Sequence, residues 1–361
     1  MAATIADVAK KVGKSYQLVS AVLNGGKSRS AASDKTRDLI LRAADQLGYR
    51  PNSAARAVST GRFNAAGLLL SVSTWKSNIT GSMLNGINRS LSADDMHLMV
   101  SGFPDETLTD ETRLPKVLRH MLVDGLIIKY DCQVPPRMVE LIKRCNLPII
   151  WMNSKHEHDC VYPHDFGAAR IATERLIELG HRAVAFADFA PRPEWDHYSN
   201  SDRLSGYLQA MKNTGLRAQN LNESTVPVEE RARLAKSWLQ SAARPTAVVA
   251  VSGDAAITIV YAASLAGLRI PEDLSVVAIE GRPVNAMGIS VSTMLIPEEE
   301  MGFQAAELLR AKLSGAAELP PEALPFAFEP GFTCATPREY EKLPCRRLPR
   351  VRAKQDSERN S

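Results

Sequence analysis

Residues 4–25, TIADVAKKVGKSYQLVSAVLNG, decide how the rest of the chain is read. Thr4 stands where a helix N-cap belongs, with Asp7 three residues on as a capping-box partner. Ile5, Val8, Ala9 and Val12 recur at helical spacing, and Gly13 stops this helix after about two turns. Ser15 is a second N-cap. Leu18, Val19, Val22 and Leu23 make the apolar face of a second helix, which Asn24-Gly25-Gly26 ends. Ser33 or Asp34 caps a third, with Ile40, Ala43, Ala44 and Leu47 inward and Gly48 closing it. Two short helices about a glycine-containing turn, with a third in support, form a helix-turn-helix pattern.

Outward from this head the texture changes twice. Residues 49–63, YRPNSAARAVSTGRF, cannot continue the third helix past Pro51. Asn52 can cap one or two further turns before Gly61, but so short and alanine-rich a helix is marginal alone, so the segment reads as a linker that orders against a partner. From residue 65 strands and helices alternate. Apolar strand-like runs fall at 66–72, 97–102, 125–129, 148–152, 183–187, 247–251 and 275–279. Amphipathic patterns at 81–93, 111–122, 135–145, 166–179, 201–214, 229–241, 254–266 and 298–313 read as the helices between them. Such alternation predicts parallel sheets covered on both faces, and two sheets fit the strand count better than one. The cleft between two such units is a natural site for a small ligand.

Charge separates the same regions. Of a net +4, residues 1–63 contribute +7, 64–337 contribute −7 and 338–361 contribute +4. A basic head on an acidic body points to a polyanion met by the head alone. The five cysteines, Cys132, Cys145, Cys160, Cys334 and Cys345, include no CxxC pair, so neither a zinc knuckle nor a disulfide framework is indicated, and a reduced, cytoplasmic protein is expected. No run approaches the ~20 apolar residues of a membrane span. The tail from Pro337, rich in proline and arginine, reads as disordered.

Together with TRDLILRAADQLGYRPNSAARAVSTGR at 36–62, the opening stretch resembles the lactose/galactose repressor (LacI/GalR) family of bacterial transcription regulators. The body carries the likeness on: VDGLII at 123–128, LPIIWMN at 147–153, GAARIATERLIELGHR at 167–182, DRLSGYLQAM at 202–211 and AGLRIPEDLSVVAIE at 266–280. It covers residues 4–336, with the blocks in the family's order. It implies an all-α helix-turn-helix head (1–49), a hinge helix (50–63), and a type I periplasmic-binding-protein-like α/β core of two parallel-sheet subdomains (64–162 with 296–323; 163–292 with 325–336). It also implies a homodimer on a pseudo-palindromic DNA operator, controlled by a small effector such as a sugar in the cleft, with no cofactor.

The resemblance assigns candidate DNA contacts to Thr4, Ser15, Tyr16, Gln17, Ser20, Asn24, Lys27, Arg29 and Tyr49 in the head, and to Asn52, Ala55 and Val58 in the hinge. Ser15, Tyr16, Gln17 and Ser20 lie away from the apolar stripe of the second helix. Gln17 can hydrogen-bond bidentately to adenine, and Ser15 can reach phosphate or a base edge. Ala21 stands where the family often has a guanine-reading arginine, so that contact is missing. Lys27 and Arg29 sit in a loop longer than usual; it either contacts phosphate or is simply solvated. Val58 occupies the position of the leucine that the family inserts between base steps, and being shorter and β-branched it wedges less deeply.

In the core the resemblance assigns Arg203 as the residue that grips effector oxygens, a role its fork suits. Glu280 stands where the family usually has Asp, Asn153 replaces another Asp, and His164 a third; Ser252-Gly253-Asp254 replaces a frequent Asn-Asp. Trp75 and Trp195 either stack on a sugar face or serve the core or rim. An enzyme is the rival class, but no GxGxxG follows the first strand, and neither a Walker loop nor a GxSxG elbow occurs. His156, His158 and Cys160 in HEHDC read as a surface loop rather than a metal site. A transport binding protein would share the core but lack the head.

Overall fold

The computed structural model describes residues 3–24, 32–50, 61–115, 118, 122–189, 197–222 and 226–338. In the head, Thr4 and Asp7 close a reciprocal capping box: the Asp7 amide donates to Thr4 Oγ1 (3.3 Å) and the Thr4 amide to Asp7 Oδ2 (2.9 Å). They start α1 (Ile5–Val12), and Gly13 ends it in the left-handed conformation. Ser15 Oγ accepts from the Leu18 amide (3.3 Å) at the start of α2 (Tyr16–Asn24). Ser33, rather than Asp34, caps α3 (Asp34–Gln46). Val8, Val19 and Ile40, one from each helix, are fully buried at the centre.

The core holds two sheets. In the first, β1 (Ala65–Ser71), β2 (His97–Phe103), β3 (Gly125–Lys129), β4 (Ile149–Met152), β5 (Cys160–Pro163) and β12 (Glu322–Leu324) all pair in parallel, in the order β12-β5-β4-β3-β1-β2. In the second, β6 (Val184–Asp188), β7 (Gln219–Asn222), β8 (Ala247–Ala250), β9 (Ser275–Glu280), β10 (Val284–Ala286) and β11 (Ile289–Leu295) run β10-β11-β9-β8-β6-β7, and β13 (Ala327–Glu329) pairs with β11. Strands β1, β3, β6 and β8 are buried along their whole length, as apolar runs covered on both faces must be.

The covering helices are α4 (Gly81–Leu91), α5 (Asp105–Thr109), α6 (Pro136–Arg144), α7 (Asp165–Glu178), α8 (Tyr198–Asn213), α9 (Val228–Leu239), α10 (Gly253–Leu265) and α11 (Glu298–Leu313). Glycines set the tightest crossing: a Cβ on Gly86 of α4 would lie 1.9 Å from the Glu299 carbonyl oxygen, and one on Gly302 of α11 2.1 Å from that of Met83. The backbones touch there because neither residue has a side chain. Helix α11, which follows the second sheet in sequence, thereby returns to the first.

Three differences from the sequence reading have local causes. The second sheet is mixed, because β10 turns back on β11 and β13 runs against β11. The pattern at 111–122 begins with a turn, Glu111–Arg113, in which Asp110 Oδ1 takes the Thr112 amide and hydroxyl; of the remainder, Leu118 is helical and buried. Helix α8 starts at Tyr198, three residues earlier than its apolar periodicity, with His197 as its cap.

The chain passes between the two subdomains three times: from β5 to α7, from β11 to α11 and from β12 to β13. The cleft lies between them, and the polar residues that end the strands collect there.

Candidate functional site

On the head, Thr4, Ser15, Tyr16 and Gln17 are exposed, and Ser20 and Tyr49 are half-buried. Tyr16 is 57% exposed, so its hydroxyl and one ring face are open to a partner. Tyr49 lies near it, and burial raises its phenol pKa, with Tyr16 adding to the rise. The hydroxyl of Thr4 and the Oγ of Ser15 already serve as helix caps. The arrangement places a tyrosine and a glutamine side by side at the N-terminus of an exposed helix, the end where a helix presents free amides to an anion. Lys10, Lys11, Lys14, Lys35 and Arg42 are exposed around it. The Asn24 side chain, Lys27, Arg29 and the hinge positions Asn52, Ala55 and Val58 lie outside the described residues, as do Trp195 and the tail from residue 339.

In the cleft the strand ends are unusually ionic. Strand β3 ends on Lys129, whose side chain is 1% exposed and whose ammonium pairs with Asp131. Burial lowers the Lys129 pKa, and Asp131 works against that shift. Asp131 Oδ1 also accepts from Asn153 Nδ2 (2.7 Å), and its Oδ2 accepts from the Asn78 amide (3.1 Å). Asn153, just past β4, has a left-handed backbone (φ 63°), which Asn tolerates better than most residues. Trp75, half-buried, lies in the same loop cluster; Lys76 sits over its ring at 4.9 Å.

Across the cleft, Arg203 of α8 donates through Nε to Asp165 Oδ1 (2.7 Å) and through Nη1 to the Val251 carbonyl (2.6 Å). Its predicted ligand-gripping fork is therefore half committed to the fold. Asp165 is 1% exposed, and its Oδ2 is buried without a hydrogen-bond partner. Glu280 reaches back to the start of α10: Oε2 accepts from the Gly253 amide (3.0 Å) and Oε1 from the Gly281 amide (2.9 Å). A Cβ on Gly253 would come 2.8 Å from that Oε2, so a side chain there would displace the Glu280 carboxylate from its present position. Asp254 is exposed on the first turn of α10, and His164 is exposed at the start of α7, folded against Gly167.

Glu298, at the start of α11, accepts from Thr80 Oγ1 (2.8 Å). Burial raises its pKa; the Thr80 hydrogen bond lowers it, Glu280 raises it, and Lys129 and Arg282 lower it. Asn153 is thus bonded into a cluster with Lys129, Asp131, His197 and Tyr198, while Arg203 is paired with Asp165, and Glu298 is near enough to Lys129 and Glu280 to feel their charges. None of Lys129, Asp131, Asp165, His197, Tyr198 and Glu298 was singled out as a contact from the sequence. The available signal was positional: a charged residue closing an apolar strand, as in GLIIK at 125–129.

His156 packs on Trp151 (ring centroids 4.4 Å apart) and its backbone hydrogen-bonds Cys160. Among the described residues no group of three or more His, Cys, Asp or Glu side chains is gathered to hold a metal, and no helix is long and apolar enough to cross a membrane.

Residues 4–52 match the model of bacterial regulatory proteins of the lacI family, and residues 173–331 that of a periplasmic binding protein-like domain. The HTH-type transcriptional repressor PurR of Erwinia tasmaniensis is 27% identical over 324 residues, spanning 88% of this chain and 92% of its own length. The HTH-type transcriptional regulator GntR of Escherichia coli K12 is 28% identical over 331 residues, spanning 90% and 96%. Among solved structures, the lac repressor dimer bound to operator and the anti-inducer ONPF superposes with a TM-score of 0.73 at 20% identity, covering 93% of this chain and 100% of that one.

Proposed function

We propose that the chain, whose head matches the lacI family model and whose relatives along nearly its whole length are transcription regulators, is a DNA-binding transcription regulator of that family: a cytoplasmic homodimeric repressor governed by a carbohydrate effector. The observation that carries this reading is the exposed Ser15-Tyr16-Gln17 at the start of α2, held by a buried three-helix core and joined to a two-subdomain cleft. In the proposed complex α2 enters the major groove. Gln17 reads a base, Tyr16 and Ser20 contact the groove wall, and Thr4, Ser15 and Tyr49 fix the phosphate backbone. The proposed hinge contacts Asn52, Ala55 and Val58 and the loop residues Lys27 and Arg29 complete the footprint.

Unpartnered apolar surface supports the dimer. On α10, Ile257, Tyr261 and Leu265 are 39–45% exposed at intervals of four residues, a single stripe along one helix face. On the first subdomain, edge strand β2 exposes Val100, and exposed Val72 lies against Gly102, two residues along the same face of that strand. One patch on each subdomain, lying against its own copy, gives a two-fold interface and two heads to match a pseudo-palindrome.

The effector is proposed to bind Arg203, Asn153, Glu280, Asp254 and His164, with Trp75 and Trp195 as stacking surfaces. Among the described residues, cleft carboxylates outnumber the buried cations. Lys129 and Arg203 are already paired with Asp131 and Asp165, while Glu280 and Glu298 remain, offset only in part by Arg282. That balance favours an uncharged, hydroxyl-rich ligand over a sugar phosphate or sugar acid. Selection from a pool of random DNA duplexes with the purified full chain tests the reading: one enriched pseudo-palindromic site supports it, and recovery of unselected sequence contradicts it.

A further inference from the structure

The two sides of the cleft are joined by the chain's own side chains. His197 Nδ1 accepts from the Ser199 amide (3.3 Å), which puts the proton on Nε2, and Nε2 lies 3.1 Å from the Asn153 carbonyl oxygen in the other subdomain. The Tyr198 hydroxyl donates to Asn153 Oδ1 (3.3 Å). Lys155 forms an ion pair with Asp202 and lies over the Tyr198 ring at 4.9 Å and the Tyr162 ring at 5.3 Å. The first turn of α8 therefore clasps residues 153–155 by a carbonyl, an amide, an ammonium and an aromatic face.

One group under this clasp is unsatisfied. Asp165 Oδ2 is buried with no partner, and Asp165 is near enough to Tyr198 to act on its phenol, whose pKa burial raises far above the usual value. A buried carboxylate oxygen without a donor is costly, and the clasp supplies none. Asn153 is the mirror case, since both ends of its amide are engaged: Nδ2 donates to Asp131 and Oδ1 accepts from Tyr198.

We propose that the first turn of α8 is a built-in latch: His197 and Tyr198, with the Lys155–Asp202 pair, hold the cleft shut without ligand, and an effector acts by replacing Tyr198 against Asn153 and donating to Asp165. The proposal rests on the reading of the cleft as the effector site. Such a ligand needs at least one hydrogen-bond donor placed to meet Asp165 Oδ2, as a hydroxyl does. A ligand that only accepts leaves that oxygen orphaned and gains nothing over the latch.

Hydrogen–deuterium exchange on the full chain, without ligand or DNA, tests the latch. In the Tyr198→Phe/Lys155→Met double variant, peptides covering 125–132 and 149–156, on the subdomain facing α8, are expected to exchange about tenfold faster than in the wild type. If α8 alone loosens while the facing peptides keep their wild-type rates, the contacts only cap a helix and the latch is wrong. Tyr198→Phe alone keeps the ring and removes one hydroxyl, so it gives the same readout, smaller in size, where the double variant does not fold. The duplex selection depends on the head and this experiment on the cleft, so either can fail without the other.

Discussion

Arg203 and Asp165 meet in the wall of the cleft, Nε to Oδ1 over 2.7 Å, with the guanidinium 11% and the carboxylate 1% exposed. Both are too buried for solvent to replace either partner. Arg203→Ala leaves a buried carboxylate with neither oxygen paired, and is expected to lower stability by about 3–5 kcal/mol, read as the urea midpoint. Arg203→Met with Asp165→Leu removes both charges and is expected to recover most of that loss. If the double variant is no more stable than the single one, the pair is not what the wall depends on.

Stability is expected to fall in mild acid. Burial lowers the pKa of His156, His181 and His197 below the ordinary 6.5, so the folded state holds each ring neutral where the unfolded chain would protonate it. The unfolded state then binds more protons, and stability rises with pH. The contribution is complete above the unfolded pKa and is lost as pH falls from there through the lowered folded values. His181 is the fixed point of this group, held by Thr246 Oγ1 (2.9 Å), Ser275 Oγ (3.1 Å) and the Ala335 carbonyl (2.9 Å). The melting temperature should decline as pH falls below about 7, and less steeply in His181→Gln.

The crossing of α4 and α11 tolerates no side chain. Gly86→Ala puts a carbon 1.9 Å from the Glu299 carbonyl oxygen and must push the helices apart, at a cost of about 1–3 kcal/mol or more, seen in thermal denaturation. A melting temperature equal to the wild type would show that the two backbones do not meet as closely as described.

For the dimer, Tyr261→Glu places a charge in the middle of the α10 stripe, 45% exposed in the single chain. Light scattering is expected to show a monomer where the wild type is a dimer. A dimer that survives both this change and Val100→Asp on β2 would move the interface elsewhere.

Much of this fold was legible because its central strands are buried on both faces. GLIIK, AVVA and SVVAIE are strands in almost any context, and their residues appear where the apolar runs placed them. Strands β5, β7, β10, β12 and β13 were not legible, since each is three or four residues without the uninterrupted apolar run that marks β4 and β8, and β11, whose ISVSTML mixes serines and a threonine with apolar residues, was missed as well. The head was legible from its caps, Thr4, Gly13 and Ser15. The cleft was legible in part. Arg203, Asn153 and Glu280 were reached through the resemblance, but that Arg203 is tied to Asp165 and Glu280 to two backbone amides depends on distant segments meeting. The start of α8 was missed because HYSN has no apolar spacing to read, and it is those residues that span the cleft.

Gln17→Ala tests base reading directly. Losing a bidentate contact is expected to weaken binding to the selected site by about 1–3 kcal/mol and to relax the preference at one position of each half-site. Ser15→Ala should instead weaken all sequences alike. If Gln17→Ala also lowers affinity uniformly, Gln17 touches phosphate rather than a base.

The central claim is that DNA is read by the head and the effector by the core. The direct measurement runs the random-duplex selection in parallel with the full chain and with a chain starting at Asn64, and follows binding of a panel of neutral sugars to each by thermal shift. The expected result is a pseudo-palindromic site for the full chain, none for the shortened one, and the same sugar stabilising both. A shortened chain that enriches the same site, or that no longer responds to the sugar stabilising the full chain, would contradict the division of labour.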